Sequence, residues 1–214
     1  RYWIGDARRV SQEAPVPVID VGRTEDRPGG AANVALNVAS LGARCTLIGL
    51  VGDDETAKTL STGLGAAGVT CDFVTVDDWP TVLKLRVVSQ NQQLLRADFE
   101  RTLTRDLSAA VRERVAAHLE DASALVLQDY DKGTLSDPGP LVKLARDAGV
   151  PVVVDPKHKP LGRYAGADLV KPNAHEFEAA VGPWEDDGGL IRLGQALCRE
   201  HGFGALVVTR GGRG

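Results

Sequence analysis

The stretch Pro28-Gly-Gly-Ala-Ala-Asn-Val-Ala-Leu-Asn-Val-Ala-Ser-Leu-Gly-Ala-Arg-Cys-Thr-Leu-Ile-Gly-Leu-Val-Gly52 decides how this chain is read. Two adjacent glycines open it, and an alanine-rich helix over 31–41 follows. The small residues Ala31, Ala32, Ala35, Ala39 and Ser40 let neighbouring backbone approach that helix closely. Val34, Leu36, Val38 and Leu41 are its candidates for the core. Gly42 ends the helix, and an apolar strand over 45–51 runs into Gly52. Gly29 and Gly30 lack a Cβ, so a bound molecule can touch the main chain there. Asn33 falls in the first turn, where its amide can reach something held at the mouth of the loop. Taken alone, the same residues also describe a tight turn followed by a buried helix.

Outward from that stretch, the composition sets bounds. The 214 residues suit one domain with a sizeable core. Hydrophobic content of 43% and charged content of 25% are those of an ordinary soluble globular protein. A net charge of −4 gives no basic footprint for nucleic acid or an acidic membrane. Apolar runs such as 47–51 and 152–154 are too short to span a bilayer, and no signal-peptide pattern opens the chain. Cys45, Cys71 and Cys198 are odd in number and widely spaced. They read as buried thiols in a reducing, cytoplasmic setting, not as a disulfide framework or zinc site. Met is absent and the chain stops at Gly-Gly-Arg-Gly214, which reads as an internal piece of a longer protein.

Taken in order, 1–9 reads as polar and irregular, and 15–21, with two prolines, as an edge strand. A helix capped by Asp53 or Asp54 is expected over 53–67. It ends in Gly63-Leu-Gly-Ala-Ala-Gly68, formally a dinucleotide-loop pattern. Here a helix precedes it and a strand over 69–76 follows, the reverse of what a pyrophosphate needs, so it reads as a helix terminus. The segments 81–89 and 92–99 read as a hairpin turning at Gln90-Asn91. Alternation puts Lys84 and Arg86 on one face and Leu83, Leu85 and Val87 on the other. Two cations on a sheet face suit a solvated edge, and they also suit a clamp on phosphate. An amphipathic surface helix is expected over 104–119, starting at Asp106. Strands over 124–128, 151–155, 168–170 and 205–209 then alternate with helices over 135–148, 173–181 and 190–201. This predicts a doubly wound α/β fold, a mainly parallel sheet covered on both faces.

In such a sheet, ligands bind beyond the carboxyl ends of the strands. Those ends carry Asp129-Tyr-Asp-Lys-Gly133, Asp155-Pro-Lys157, Lys171-Pro-Asn-Ala-His-Glu176 and Thr209-Arg-Gly-Gly-Arg-Gly214. Asn173 and Glu176 have the spacing of a helix capping box and also of a carboxylate that orients a magnesium ion through water. Lys157 is placed either for a surface ion pair or for neutralising phosphate. Asp129 ends a strand where it can take hydrogen bonds from hydroxyls.

Gly-Gly with Asn33, Ala35, Gly42 and Gly52, then Asn173-x-x-Glu176 and Thr209-x-Gly-x-x-Gly214, resemble the signatures of the ribokinase-like (PfkB) carbohydrate kinases. The resemblance implies that Gly29, Gly30 and Asn33 bind sugar hydroxyls, that Asn173 and Glu176 serve magnesium and phosphate, and that Thr209, Gly211 and Gly214 wrap ATP. Within that family the chain is most similar to the D-glycero-β-D-manno-heptose 7-phosphate kinases. The similarity rests on Arg1-Tyr-Trp3, Glu13-Ala-Pro-Val-Pro-Val18, Lys84-Leu-Arg86, Asn91-Gln-Gln-Leu-Leu-Arg96, Asp98-Phe-Glu100, Asp129-Tyr-x-Lys-Gly133 and Asp155-Pro-Lys157.

This branch implies ATP-dependent phosphorylation at O1, on the way to ADP-heptose for lipopolysaccharide core. Its cofactor would be Mg2+, and a monovalent cation is allowed. Lys84, Arg86, Gln93, Arg96 and Asp129 become substrate-binding candidates. Lid segments at about 11–22 and 80–100 would also make a homodimer interface. The family's catalytic aspartate sits in a Gly-Ala-Gly-Asp motif that these 214 residues do not contain, so it is expected after Gly214. The family's first strand is likewise expected before Arg1. His158 stands where a glycine usually follows Asp-Pro-Lys. Fructose 6-phosphate, ribose or nucleoside kinases are the nearest alternatives, and a non-catalytic sugar-phosphate-binding fragment is the other.

Overall fold

The arrangement of strands is clear in a computed structural model that describes residues 1–157 and 160–213. The chain forms two compact units, Arg1–Thr102 and Leu103–Gly214.

In the first unit, β1 (Tyr2–Val10), β2 (Pro17–Glu25), β5 (Leu83–Ser89) and β6 (Gln92–Phe99) make a four-stranded sheet of order β2-β1-β5-β6. Residues 1–9, expected to be irregular, are instead almost wholly strand. They pair antiparallel with β2 and parallel with β5, so long-range hydrogen bonds supply what local propensity does not. β2 is the expected edge, and its one proline, Pro17, opens the strand, where it is tolerated. The β5–β6 hairpin turns at Gln90 and Asn91, whose φ values of 50° and 63° are those of a type I′ turn.

The rest of this unit is β3 (Cys45–Gly52) and β4 (Val69–Val76), a parallel pair, with helices α1 (Ala31–Ser40) and α2 (Glu55–Ala66). Ala32 and Ala35 of α1 are buried with Leu64 and Val69, and Leu36 and Ala39 pack against them. The small residues thus meet the core, while Leu41, expected inside, is 87% exposed. α2 is capped by Asp54, which takes a hydrogen bond from Ala57 N–H. Gly68, at φ +81°, follows its end, as expected of a helix terminus.

In the second unit, β7 (Leu125–Gln128), β8 (Val152–Asp155), β9 (Leu169–Val170) and β10 (Ala205–Leu206) form an all-parallel sheet of order β10-β9-β8-β7. Helices α3 (Ser108–Leu119), α4 (Gly139–Asp147), α5 (Ala174–Val181) and α6 (Asp187–His201) connect or flank the strands. Val152, Val154 and Val170 are fully buried, as strands covered on both faces require. α3 hides Val111, Val115 and Leu119 on one face. α4 begins at Gly139, not Leu135, because Pro138 and Pro140 admit a helix only at its first turn. β10 stops at Leu206, and Thr209 rejoins the sheet by a bridge to Asn173. No helix among the described residues is long and apolar enough to cross a membrane.

Candidate functional site

In the first unit, Gly30 caps α1 with φ 55° and ψ −133°, a conformation that favours glycine. A Cβ on Gly29 would meet nothing within 4 Å, so main chain faces open space at the head of this helix. Asn33 is exposed in the same turn. At the other end of the stretch, Gly52 N–H donates to Thr81 Oγ1 at 2.9 Å, and Thr81 N–H donates to Asp54 Oδ2 at 2.8 Å. A Cβ on Gly52 would collide with the Trp79 carbonyl oxygen. Burial pushes the Asp54 carboxyl up, but hydrogen bonds from Thr81 and Ala57 outweigh it and hold the group below the usual carboxylate range.

On the four-stranded sheet, Lys84 pairs in register with Asp98, and Arg86 with Arg96. Lys84 Nζ lies 2.8 Å from Asp98 Oδ2 and 3.5 Å from Glu100 Oε2. Arg96 Nε lies 3.0 Å from Asp98 Oδ1. The hydrogen bond from Lys84, followed by the charges of Lys84 and Arg96, holds the Asp98 carboxyl below its usual range. The Arg86 guanidinium stands 5.4 Å from the centre of the Tyr2 ring. Gln93 is exposed and pairs with Val88 past a register shift.

In the second unit, the expected strand ends do fall along one edge of the parallel sheet. Asp155 accepts Gln128 Nε2 at 2.6 Å and Lys171 Nζ at 2.8 Å, tying three adjacent strand ends together. Asp129 is 4% exposed, and its oxygens are engaged. Oδ1 accepts Asp131 N–H at 2.7 Å, and Oδ2 accepts the Tyr164 hydroxyl at 2.6 Å. Arg163 Nη1 is 3.7 Å from Oδ2, and its Nη2 donates to the carbonyls of Leu135 and Ser136. Burial first, then the Asp129 bond, pushes the Tyr164 hydroxyl well above the ordinary tyrosine value. Lys157 is half-buried.

Asn173 and Glu176 form a reciprocal capping box on α5, with Glu176 N–H to Asn173 Oδ1 and Asn173 N–H to Glu176 Oε2, both 2.9 Å. Glu176 is 7% exposed and keeps Oε1 outside that pair of bonds. Among the described residues no group of three or more His, Cys, Asp or Glu could hold a metal. One carboxylate and one amide fit a magnesium ion that arrives on nucleotide phosphates and is reached through water. They do not fit a metal caged by protein alone. Thr209 N–H donates to the Pro172 carbonyl, and Gly211 has φ 61°, while Arg210 Nη1 binds Asp187 at 2.6 Å. Gly214 and His158 lie outside the described residues.

The three cysteines are unpaired and half-buried, less enclosed than expected, and burial pushes each thiol up. Arg163 and Tyr164 escape any reading of the sequence as site residues. Their partner, Asp129, is thirty-five positions away in Tyr164's case, and no local pattern links them.

Comparison with known proteins settles the family. The pfkB family carbohydrate kinase model matches residues 2–214. The chain belongs to the pfkB family. Among curated proteins, it is 50% identical over all 214 residues to Bifunctional protein HldE of Shewanella denitrificans, and 51% identical to that of Ectopseudomonas mendocina. It spans 45% of the length of each. Among solved structures, it is similar to a possible 1-phosphofructokinase from Thermotoga maritima, with TM-score 0.74 and 21% identity over 99% of this chain and 68% of the other. Ribokinase from Arabidopsis thaliana, solved with ribose and ATP, gives TM-score 0.70 and 22% identity over 100% of this chain and 69% of the other. The pfkB chain thus has the ribokinase-like α/β fold.

Proposed function

We propose that this pfkB chain is the kinase part of an ATP-dependent sugar-phosphate kinase that phosphorylates heptose 7-phosphate at O1. The observation that carries the kinase reading is the edge of the parallel sheet in the second unit. Asp155, Lys157, Lys171, Asn173 and Thr209 end or follow adjacent parallel strands there, at the start of a capped helix. That is where a nucleotide phosphate finds helix N–H groups and lysine charge. The choice of sugar rests on the heptose-kinase motifs and is supported by the similarity to HldE proteins along the whole chain. Those relatives are called bifunctional, and the reading here covers kinase activity alone.

In the proposed reaction, Gly29, Gly30 and Asn33 hold sugar hydroxyls, and cations of the four-stranded sheet hold the phosphate already on the substrate. The sugar 1-hydroxyl attacks the γ-phosphorus of ATP in line, and ADP leaves. Its proton goes to an aspartate of the family's Gly-Ala-Gly-Asp motif, which residues 1–214 do not contain. Lys157, Thr209 and the main-chain N–H groups of the Gly211 loop stabilise charge spreading over the transferred oxygens. Asn173 and Glu176 are the residues placed to orient a magnesium ion, whose chemistry is to neutralise phosphate charge. Asp129, held by Tyr164, fixes the loop after β7 and so shapes that edge of the site. On the sheet face opposite Tyr2 and Arg86, Trp3 and Leu95 are exposed and flank Val87 in register. That apolar stripe supports a homodimer formed through the sheet.

The test is an ADP-release assay on the full reading-frame product, with heptose 7-phosphate, fructose 6-phosphate and ribose in parallel. Turnover confined to the heptose is the expected result. Preference for either other sugar would move the chain to another branch of the family, and turnover with none would leave a binding module.

A further inference from the structure

The chain enters the β5–β6 hairpin from β4 and leaves it after Phe99. Leu83 and Phe99 pair in register, so residues 77–82 and those that follow Phe99 are the two legs of its base. The legs are tied to each other. Trp79 is 7% exposed and its Nε1–H donates to the Arg101 carbonyl at 2.8 Å, while Arg101 Nη1 donates to the Asp78 carbonyl at 2.7 Å. The outgoing leg is also tied to the end of β3 and the head of α2. Thr81, 6% exposed, accepts Gly52 N–H on Oγ1 and gives its own N–H to Asp54 Oδ2. Gly52 has no Cβ to hold the Trp79 carbonyl away from this crossing.

Asp54 is common to two elements. Its Oδ1 takes Ala57 N–H and caps α2, and its Oδ2 takes Thr81 N–H and holds the hairpin. A serine caps a helix about as well as an aspartate, so the cap alone does not call for the second oxygen. The Gly52 N–H is buried at the crossing, and without the Thr81 hydroxyl it would be left unpaired. The outgoing leg is stiff as well. Residues 77–82 read Asp-Asp-Trp-Pro-Thr-Val, with no glycine and with Pro80 fixing φ in the middle. Such a connection suits a fixed joint better than a hinge.

We infer that Asp54, Thr81 and Trp79 are positioning residues that join the base of the hairpin, the end of β3 and the head of α2 into one rigid joint, and so fix where the hairpin stands while the sugar phosphate is bound. A shift of the hairpin at its base has to break these bonds together or carry the first turn of α2 with it. The inference rests on the sugar-phosphate kinase reading for its effect on turnover, and on the hydrogen bonds alone for the joint.

The test compares Asp54→Ser, Thr81→Val, Thr81→Ser and Trp79→Phe in the full-length protein, with amide hydrogen exchange run beside steady-state kinetics. Asp54→Ser keeps a cap for α2 and removes the acceptor of Thr81 N–H. Amides of β5 and β6 should then exchange about two- to tenfold faster while those of α2 stay within about twofold. Thr81→Val should do the same, and Thr81→Ser, which keeps an acceptor for Gly52 N–H, should restore the wild-type rates. Trp79→Phe keeps a buried ring and loses the bond to Arg101, so it should shift exchange in the same direction, and it decides the matter should the other two fail to fold. In all three disruptive variants the KM for heptose 7-phosphate should rise about two- to tenfold and the KM for ATP stay within about twofold, a split that loss of stability alone does not produce. Unchanged exchange of β5 and β6 in these variants overturns the joint, and faster exchange with an unchanged sugar KM overturns its positioning role. Faster hairpin exchange in a protein that turns over no sugar would keep the joint and remove the kinase reading instead.

Discussion

Removing the Tyr164 hydroxyl should expose how the loop after β7 is held. In Tyr164→Phe, the fully buried ring remains, but Asp129 Oδ2 loses a 2.6 Å hydrogen bond at a site only 4% exposed. A hydrogen bond to a buried charged group contributes about 1.5–3 kcal/mol, and the variant should be destabilised by that amount at neutral pH. Arg163, 3.7 Å away, keeps the carboxylate from being wholly uncompensated, which argues for the lower half of that range. The pH dependence adds a second signature. The folded hydroxyl is held protonated well above its ordinary value, so wild-type folded and unfolded states carry the same proton below about pH 10. Above that, the unfolded chain ionises first, and the contribution falls away as pH rises towards the folded value. Urea denaturation of the full-length protein and its Phe variant, at about pH 8 and about pH 10.5, reads both effects. The gap should be largest at the lower pH and shrink at the higher one. A gap below about 0.5 kcal/mol at both, or one that does not change, would refute this account of the pair.

Two further outcomes test the ends of the helices. Asp54→Ala should cost about 1–2 kcal/mol in urea denaturation, because the carboxylate caps α2 and also receives Thr81 N–H. Its folded carboxyl is depressed, so the contribution is present above the ordinary carboxylate value and fades as pH falls through the folded one. An unchanged midpoint would show the cap to be idle. Glu176→Gln keeps an oxygen for Asn173 N–H, so stability should hold within about 0.5 kcal/mol. If Glu176 also orients magnesium on the nucleotide, its KM for Mg-ATP should nonetheless rise. No rise would leave Glu176 as a cap alone.

Local signals carried much of this in the sequence. Helix α1, the I′ turn at Gln90-Asn91, the Asp54 cap and the alternation of the second unit all rest on short-range propensities that a sequence displays directly. β1 is the counter-example. Its polar 1–9 segment has no strand pattern, and two flanking strands from distant parts of the chain supply its hydrogen bonds. Leu41 fails for the opposite reason, since hydrophobicity alone does not say which turn of a helix faces the core. At the site, the Asn173–Glu176 capping box was legible because both partners lie within one turn of sequence. The Asp129–Tyr164–Arg163 contact and the tie between Asp54 and Thr81 were not, because each joins residues brought together only by the fold.

The central claim is transfer of the γ-phosphate of ATP to O1 of a seven-carbon sugar phosphate. Phosphorus NMR of the full reading-frame product, incubated with Mg-ATP and heptose 7-phosphate, addresses it directly. The account predicts a new anomeric phosphate signal growing as ADP appears, with the 7-phosphate signal retained. ADP appearing with no anomeric phosphate, or with phosphate placed on another hydroxyl, would contradict it.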